Sequence, residues 1–191
     1  MKVGFMIIGA MKCGTSTLAG ALGNHPEVCF SRPKEPNFFN VDTKWRTHIY
    51  KYHKLFRHKK ARIYGEGSTS YTKFPGMTRA GICDDLYEYN ADLKFIYIIR
   101  HPVTRAISHY MHIYQRGFTD LDFSEAIRQT GILDVGNYAM QIEPYIRKFG
   151  RDKVHLIKFE EMVADPVMHF REAAEFLGID PSPLLRADPG I

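Results

Sequence analysis

Two glycines, Gly9 and Gly14, frame the stretch of this 191-residue chain richest in potential chemistry. In Phe5-Met6-Ile7-Ile8-Gly9-Ala10-Met11-Lys12-Cys13-Gly14-Thr15-Ser16-Thr17, an apolar strand-like run ends in a glycine. A second glycine then precedes three hydroxyl residues that open a helical pattern. A backbone that curls at glycine points successive N–H groups at one place, and a helix start adds its positive end. The segment therefore suits a phosphate or another tetrahedral anion. Gly9 and Gly14 have the spacing of the two glycines in the nucleotide-binding loop G-x-x-x-x-G-K-S/T. The lysine does not follow that pattern. Thr15 stands where it belongs, and the loop's one lysine is Lys12.

Arg100 is a second anion-seeking residue. The apolar run 95–99 ends in Arg100, followed by His101 and Pro102. A magnesium-dependent nucleotide enzyme should end that strand in a carboxylate that helps hold the metal. An arginine there repels a metal and attracts a further phosphate. A phosphate-loop kinase of nucleotides or small molecules is thus the runner-up reading. A non-catalytic nucleotide-binding domain of the same fold is the third.

The elements that must position these residues alternate between strand and helix patterns, which favours an α/β fold with a mostly parallel sheet. Strands are expected at 3–8, 27–30, 62–65, 94–99 and 154–159. Helices are expected at 15–22, 45–58, from Pro102 to about Gly117, from Asp122, at 137–149 and from Asp165 to 177. Asp122 with Glu125 forms a capping box, Pro102 and Pro166 suit first helical positions, and Gly178 suits a helix end. In the helix after Arg100, Val103, Ala106, Ile107, Tyr110, Met111 and Tyr114 repeat with a 3.6 period. His109 and His112 on that helix read as a polar face. The aromatic-rich stretch 45–56 suits either core or interface. Together these patterns predict a single domain over residues 1–191, its central parallel sheet of about five strands flanked by helices, like the phosphate-loop nucleotide hydrolases.

Composition narrows the classes. Apolar residues make up 45% and charged residues 25%, an ordinary globular balance. The net charge of +5 suits an anionic ligand but is too evenly spread for a dedicated nucleic-acid binder. The densest basic stretch, 51–62, reads as a solvated helix face. No apolar run approaches the roughly 18 residues of a membrane span. Three cysteines without C-x-x-C spacing suggest neither a disulfide framework nor a zinc site, and a reducing cytoplasm is the expected compartment. His48, His53 and His58 recur every five residues and share no helix face, so no metal site is expected there.

The loop 9–17 resembles the 5′-phosphosulfate loop of sulfotransferases that use 3′-phosphoadenosine-5′-phosphosulfate (PAPS). The segment Arg100-His101-Pro102 with Ser108 eight residues after the arginine is similar to that family's 3′-phosphate segment. Lys34-Glu35-Pro36-Asn37-Phe38-Phe39 and Gly65-Glu66-Gly67-Ser68-Thr69-Ser70-Tyr71 look like two loops of its bacterial and glycosaminoglycan-type branch. The likeness covers about residues 3–180.

The resemblance implies sulfuryl transfer from PAPS to a hydroxyl or amine of a carbohydrate or small molecule, with no metal. It implies that Cys13, Gly14, Thr15, Ser16 and Thr17 hold the 5′-phosphosulfate and that Lys12 meets the bridging oxygen. Arg100 and Ser108 would hold the 3′-phosphate. Glu35 would be the catalytic base, with Glu66 and Tyr71 bordering the acceptor. Tyr138 and Gln141 match the family's Y-x-x-Q segment. The chain departs from the pattern at Asn37, where histidine is frequent, at Gly67, where several glucosaminyl enzymes have lysine, and at Thr69, where proline is usual. The family's basic loop that closes over the cofactor is not matched before Ile191.

Overall fold

A computed structural model describes residues 1–57 and 60–186. His58, Lys59 and the segment 187–191, about which the sequence raised expectations, lie outside the described residues. The sheet has five strands: β1 (Phe5–Gly9), β2 (Val28–Phe30), β3 (Ile63–Glu66), β4 (Lys94–Ile99) and β5 (Val154–Lys158). Their order is β2-β3-β1-β4-β5, and every pair is parallel. β1 is buried along its whole length and β4 along its four middle residues. Near-continuous apolar runs are what a sheet covered on both faces demands.

Helix α1 (Thr15–Gly23) returns the chain from β1. Short α2 (Phe38–Val41) and α3 (Trp45–His53) link β2 to β3, and α4 (Ile82–Tyr89) precedes β4. After β4 come α5 (Pro102–Gln115), α6 (Phe123–Gln129), α7 (Ile132–Gly136) and α8 (Tyr138–Phe149). After β5 come α9 (Phe159–Ala164) and α10 (Pro166–Leu177). The caps read from the sequence are in place. Asp122 accepts from the Glu125 N–H, Asp165 from the Met168 N–H, and Gly178 is left-handed with φ 78°. α2, α4, α7 and α9 were not expected; they have four to eight residues, too few turns for a 3.6 period to stand out.

The aromatic stretch after β2 is core. Phe38, Phe39, Trp45, Tyr52, Phe56 and Tyr89 form one cluster, with Phe39 and Tyr52 wholly buried. α5 departs from the sequence reading. Its apolar stripe Val103, Ile107, Met111 and Tyr114 faces outward, while Arg105, Ala106 and His109 are buried. The helix turns its polar side toward α7 and the cavity described next, because that is where its polar groups find partners.

The order of the strands fixes the site. From β1 the chain runs to β2 and β3 on one side, and then crosses to β4 on the other. In open parallel sheets the crevice at such a reversal, beyond the carboxyl ends of the strands, is where ligands bind.

Candidate active site

The loop from Gly9 to α1 and the turn from β4 to α5 face each other across that crevice. They border a cavity of about 1180 Å³. Met11, Lys12, Gly14, Thr15 and Ser16 form one part of its wall, and Arg100, Ser108, His109 and His112 another. Glu35 and Thr69 come in from the loops after β2 and β3.

The loop is built as its glycines demand. Lys12 has φ 69° and Gly14 φ 81°, so the chain bends twice through the left-handed region before α1 begins. The Thr15 and Ser16 N–H groups, the first two of α1, have no carbonyl one turn back within the helix and are open to an anion. Thr17 donates its N–H to the Gly14 carbonyl at 3.1 Å and lies off the cavity wall. Cys13 is also off the wall. Its N–H bonds to the Ala10 carbonyl at 3.2 Å, and its thiol is buried near the Tyr138 hydroxyl at 3.9 Å. Burial pushes that thiol up to about 11, the nearby hydroxyl and arginines offsetting it only in part. Cys13 thus shapes the loop from below.

Arg100 is held ready. Its guanidinium donates to the Lys12 carbonyl at 3.3 Å and to Thr104 Oγ1 at 3.2 Å, and it stacks on Phe159 at 4.6 Å. The Tyr138 hydroxyl donates to the Arg100 carbonyl at 2.7 Å and pins the end of β4. Gln141 is buried and joins the Phe74 backbone from both sides, at 2.8 and 2.7 Å. The Y-x-x-Q pair therefore fastens cavity-wall segments rather than fronting the cavity. The described donor set (first-turn amides, hydroxyls, Lys12 and Arg100 with Ser108) fits a ligand bearing two separated anionic groups.

Glu35 is fixed from three directions. Its carboxylate accepts from Lys34 Nζ and from Thr69 Oγ1, both at 3.2 Å, and its carbonyl accepts from Asn37 Nδ2 at 3.1 Å. Two of the positions that depart from the family pattern, Asn37 and Thr69, are those that hold it. Glu66 and Tyr71, expected at the acceptor, are wholly buried behind this wall. Glu66 accepts from the hydroxyls of Tyr71 at 2.9 Å, Tyr52 at 3.0 Å and Ser68. Burial raises its pKa to about 7, and the three hydroxyls oppose that rise. This group carries the loop rather than touching a ligand.

Sequence reading missed His109 and His112 as cavity residues, along with Lys73 and Arg116. Arg105, fully buried, donates from Nη1 to His109 Nδ1 at 3.2 Å. An arginine can only donate, so Nδ1 accepts and the ring proton sits on Nε2. Burial and the cations Arg105 and Lys73 lower the His109 pKa to about 3. The sequence signal was the i, i+4 pairing of Arg105 with His109 on a helix whose apolar stripe points elsewhere.

Comparison with known proteins gives one consistent result. The sulfotransferase domain family model matches residues 4–187. Heparan sulfate glucosamine 3-O-sulfotransferase 3B1 of Mus musculus is 32% identical over 187 residues, 91% of this chain and 45% of that protein. The corresponding 3A1 enzyme of the same organism is 31% identical over 191 residues. The chain spans about half the length of the curated relatives it matches. Among solved structures, the sulfotransferase from Alicyclobacillus acidocaldarius superposes with a TM-score of 0.81 at 32% identity, over 95% of this chain and 83% of that one. A mouse sulfotransferase complexed with PAP shares the fold at a TM-score of 0.64 and 17% identity, over 97% of this chain and 64% of that one.

Proposed function

The chain belongs to the sulfotransferase domain family, and on that premise we propose that it moves a sulfuryl group from PAPS to a hydroxyl or amine of a carbohydrate or small-molecule acceptor. The observation that carries the reading is the pairing of two anion sites across one crevice: the Lys12–Ser16 loop and the Arg100–Ser108 segment. A nucleotide with phosphate groups at both its 3′ and 5′ positions needs such a pair.

When bound, PAPS supplies an activated sulfuryl group whose leaving oxygen gains negative charge. Lys12 stabilises that charge, and the first-turn amides and hydroxyls of α1 orient the group. Arg100 and Ser108 hold the 3′-phosphate and so fix the register of the nucleotide. Glu35 takes the proton of the attacking hydroxyl or amine. Relatives named for heparan sulfate glucosamine make a sugar hydroxyl the first acceptor to try. Among the described residues no helix is long and apolar enough to cross a membrane. With free cysteines at 13, 29 and 83, a reducing cytoplasm belongs to the same reading.

The test is a thermal-shift titration with 3′-phosphoadenosine-5′-phosphate beside ATP with magnesium. A ligand at about 100 times its dissociation constant adds roughly 2.7 kcal/mol, so a rise with the bisphosphate and little with ATP is expected. A rise with ATP and magnesium alone would overturn the reading. Transfer of labelled sulfate from PAPS should fall by about 10²–10³ in Lys12→Ala, and unchanged turnover would remove Lys12 from its role. Arg100→Ala should weaken bisphosphate binding while the melting temperature of the free protein stays close to wild type.

A further inference from the structure

Lys34 stands at the junction of the two halves of the site. Its Nζ donates to Thr15 Oγ1 at 3.3 Å, to Ser16 Oγ at 3.1 Å and to Glu35 Oε1 at 3.2 Å. Thr15 and Ser16 are the first residues of α1, and they line the main cavity together with Glu35. Ser16 belongs to the walls of both the main cavity and a neighbouring cleft of about 500 Å³, and Lys34 lines that second cleft. One amino group therefore reaches the anion cradle and the proposed base together.

The surrounding backbone holds this lysine there. Ser31 Oγ donates to the Lys34 carbonyl at 3.3 Å, and the Gly67 N–H donates to it at 3.1 Å. A Cβ on Gly67 would lie 3.3 Å from Lys34 Cε, tighter than an ordinary contact. Gly67 is the clearance through which the lysine stem passes. The Lys34 ammonium donates to the two hydroxyl oxygens, so their own protons must point away from it. They are left for a ligand oxygen.

We propose, resting on the function above, that Lys34 is a second cation for the transferring sulfuryl group, working beside Lys12. As the bond from sulfur to the leaving phosphate oxygen breaks and the bond to the acceptor oxygen or nitrogen forms, charge spreads over the other sulfuryl oxygens. Lys34 donates to one of them, and Glu35 takes the acceptor's proton. Lys12 serves the leaving oxygen.

The test compares PAPS with the 3′,5′-bisphosphate, which lacks the sulfuryl group, by calorimetric titration of wild type, Lys34→Met and the double variant Lys34→Met with Gly67→Lys. Losing a charged hydrogen bond should weaken PAPS by about tenfold or more in Lys34→Met, with the bisphosphate changed by no more than about twofold. The double variant, which returns an ammonium from the adjoining loop into the same space, should recover most of the loss. Equal loss of both ligands, with no recovery, would make Lys34 a prop for the loop and overturn the proposal. So would unchanged affinity for both. If wild type binds neither nucleotide, the function proposed above fails first and this role with it.

Discussion

Glu66 is surrounded by hydroxyls rather than by a cation, and this makes its charge state informative. Its pKa in the folded protein is raised, to about 7, by burial. A carboxyl with a raised folded pKa keeps its proton in the native state after the unfolded chain has lost it. Its contribution to stability is therefore complete below about pH 4.5 and is lost as pH rises toward 7. The amount at stake is on the order of 3 kcal/mol. Glu66→Gln keeps the hydroxyl contacts and removes the proton, so the melting temperature of this variant should lack that part of the decline between pH 4.5 and 7. Parallel curves for the two proteins would place the carboxyl's titration elsewhere. Glu35 has the opposite setting, half-exposed and tied to Lys34. Glu35→Gln should cost about 10²–10⁴ in turnover and leave bisphosphate affinity near wild type, because a base acts on the acceptor. Loss of nucleotide binding would make it structural instead.

At the scale of elements, the turn into α1 and the helix α5 behave differently under substitution. Gly14 holds φ 81° at the start of α1, and an added Cβ would come within 2.8 Å of Met162 Cε. Gly14→Ala should lower the melting temperature, by about 1 kcal/mol or more of stability, and should weaken bisphosphate binding at the same time. A variant that loses only stability would separate the loop's geometry from its ligand. The turn was legible in the sequence because glycine spacing, an apolar strand and a helix start are local signals. The sheet was legible for the same reason, and β4 keeps the bounds expected for it, Lys94–Ile99. α5 was legible as a helix but not in its rotation. The apolar stripe marked one face, yet the buried face is the one where Arg105 finds the Ile132 carbonyl of α7, a contact between separate elements, beside its i, i+4 partner His109. For a similar reason Glu35 could be read as a candidate, whereas its tether to Thr69, 34 residues away, could not. Since Arg105 fixes the His109 tautomer, the nitrogen resonances of that ring should show an Nε2–H form that does not change between pH 5 and 8, about where a free imidazole titrates. A midpoint near neutrality would mean that the Arg105 contact does not hold the ring.

Across the whole molecule, a net charge of +5 and a cavity with Lys12, Lys73, Arg100 and Arg116 in its wall make ligand capture electrostatic. Bisphosphate affinity should therefore fall as salt rises from about 0.01 to 0.15 M, where the screening length shortens from roughly 30 to 8 Å. A salt-independent affinity would point to contacts that are mainly stacking and apolar. The strand order has a consequence for how the protein is made. Of the five strands of this sheet β1 is made before its partners, yet it lies in the middle, between β3 and β4. Its two partners end at Glu66 and Ile99, and the last residue of the paired anion sites is Ser108. Until Ile99 has been made β1 has at least one open edge, and until Ser108 has been made the cradle is incomplete. Nucleotide in the cell can thus favour the fold only after the segment through Ser108 has been synthesised, and β1 must be sheltered until its partners follow.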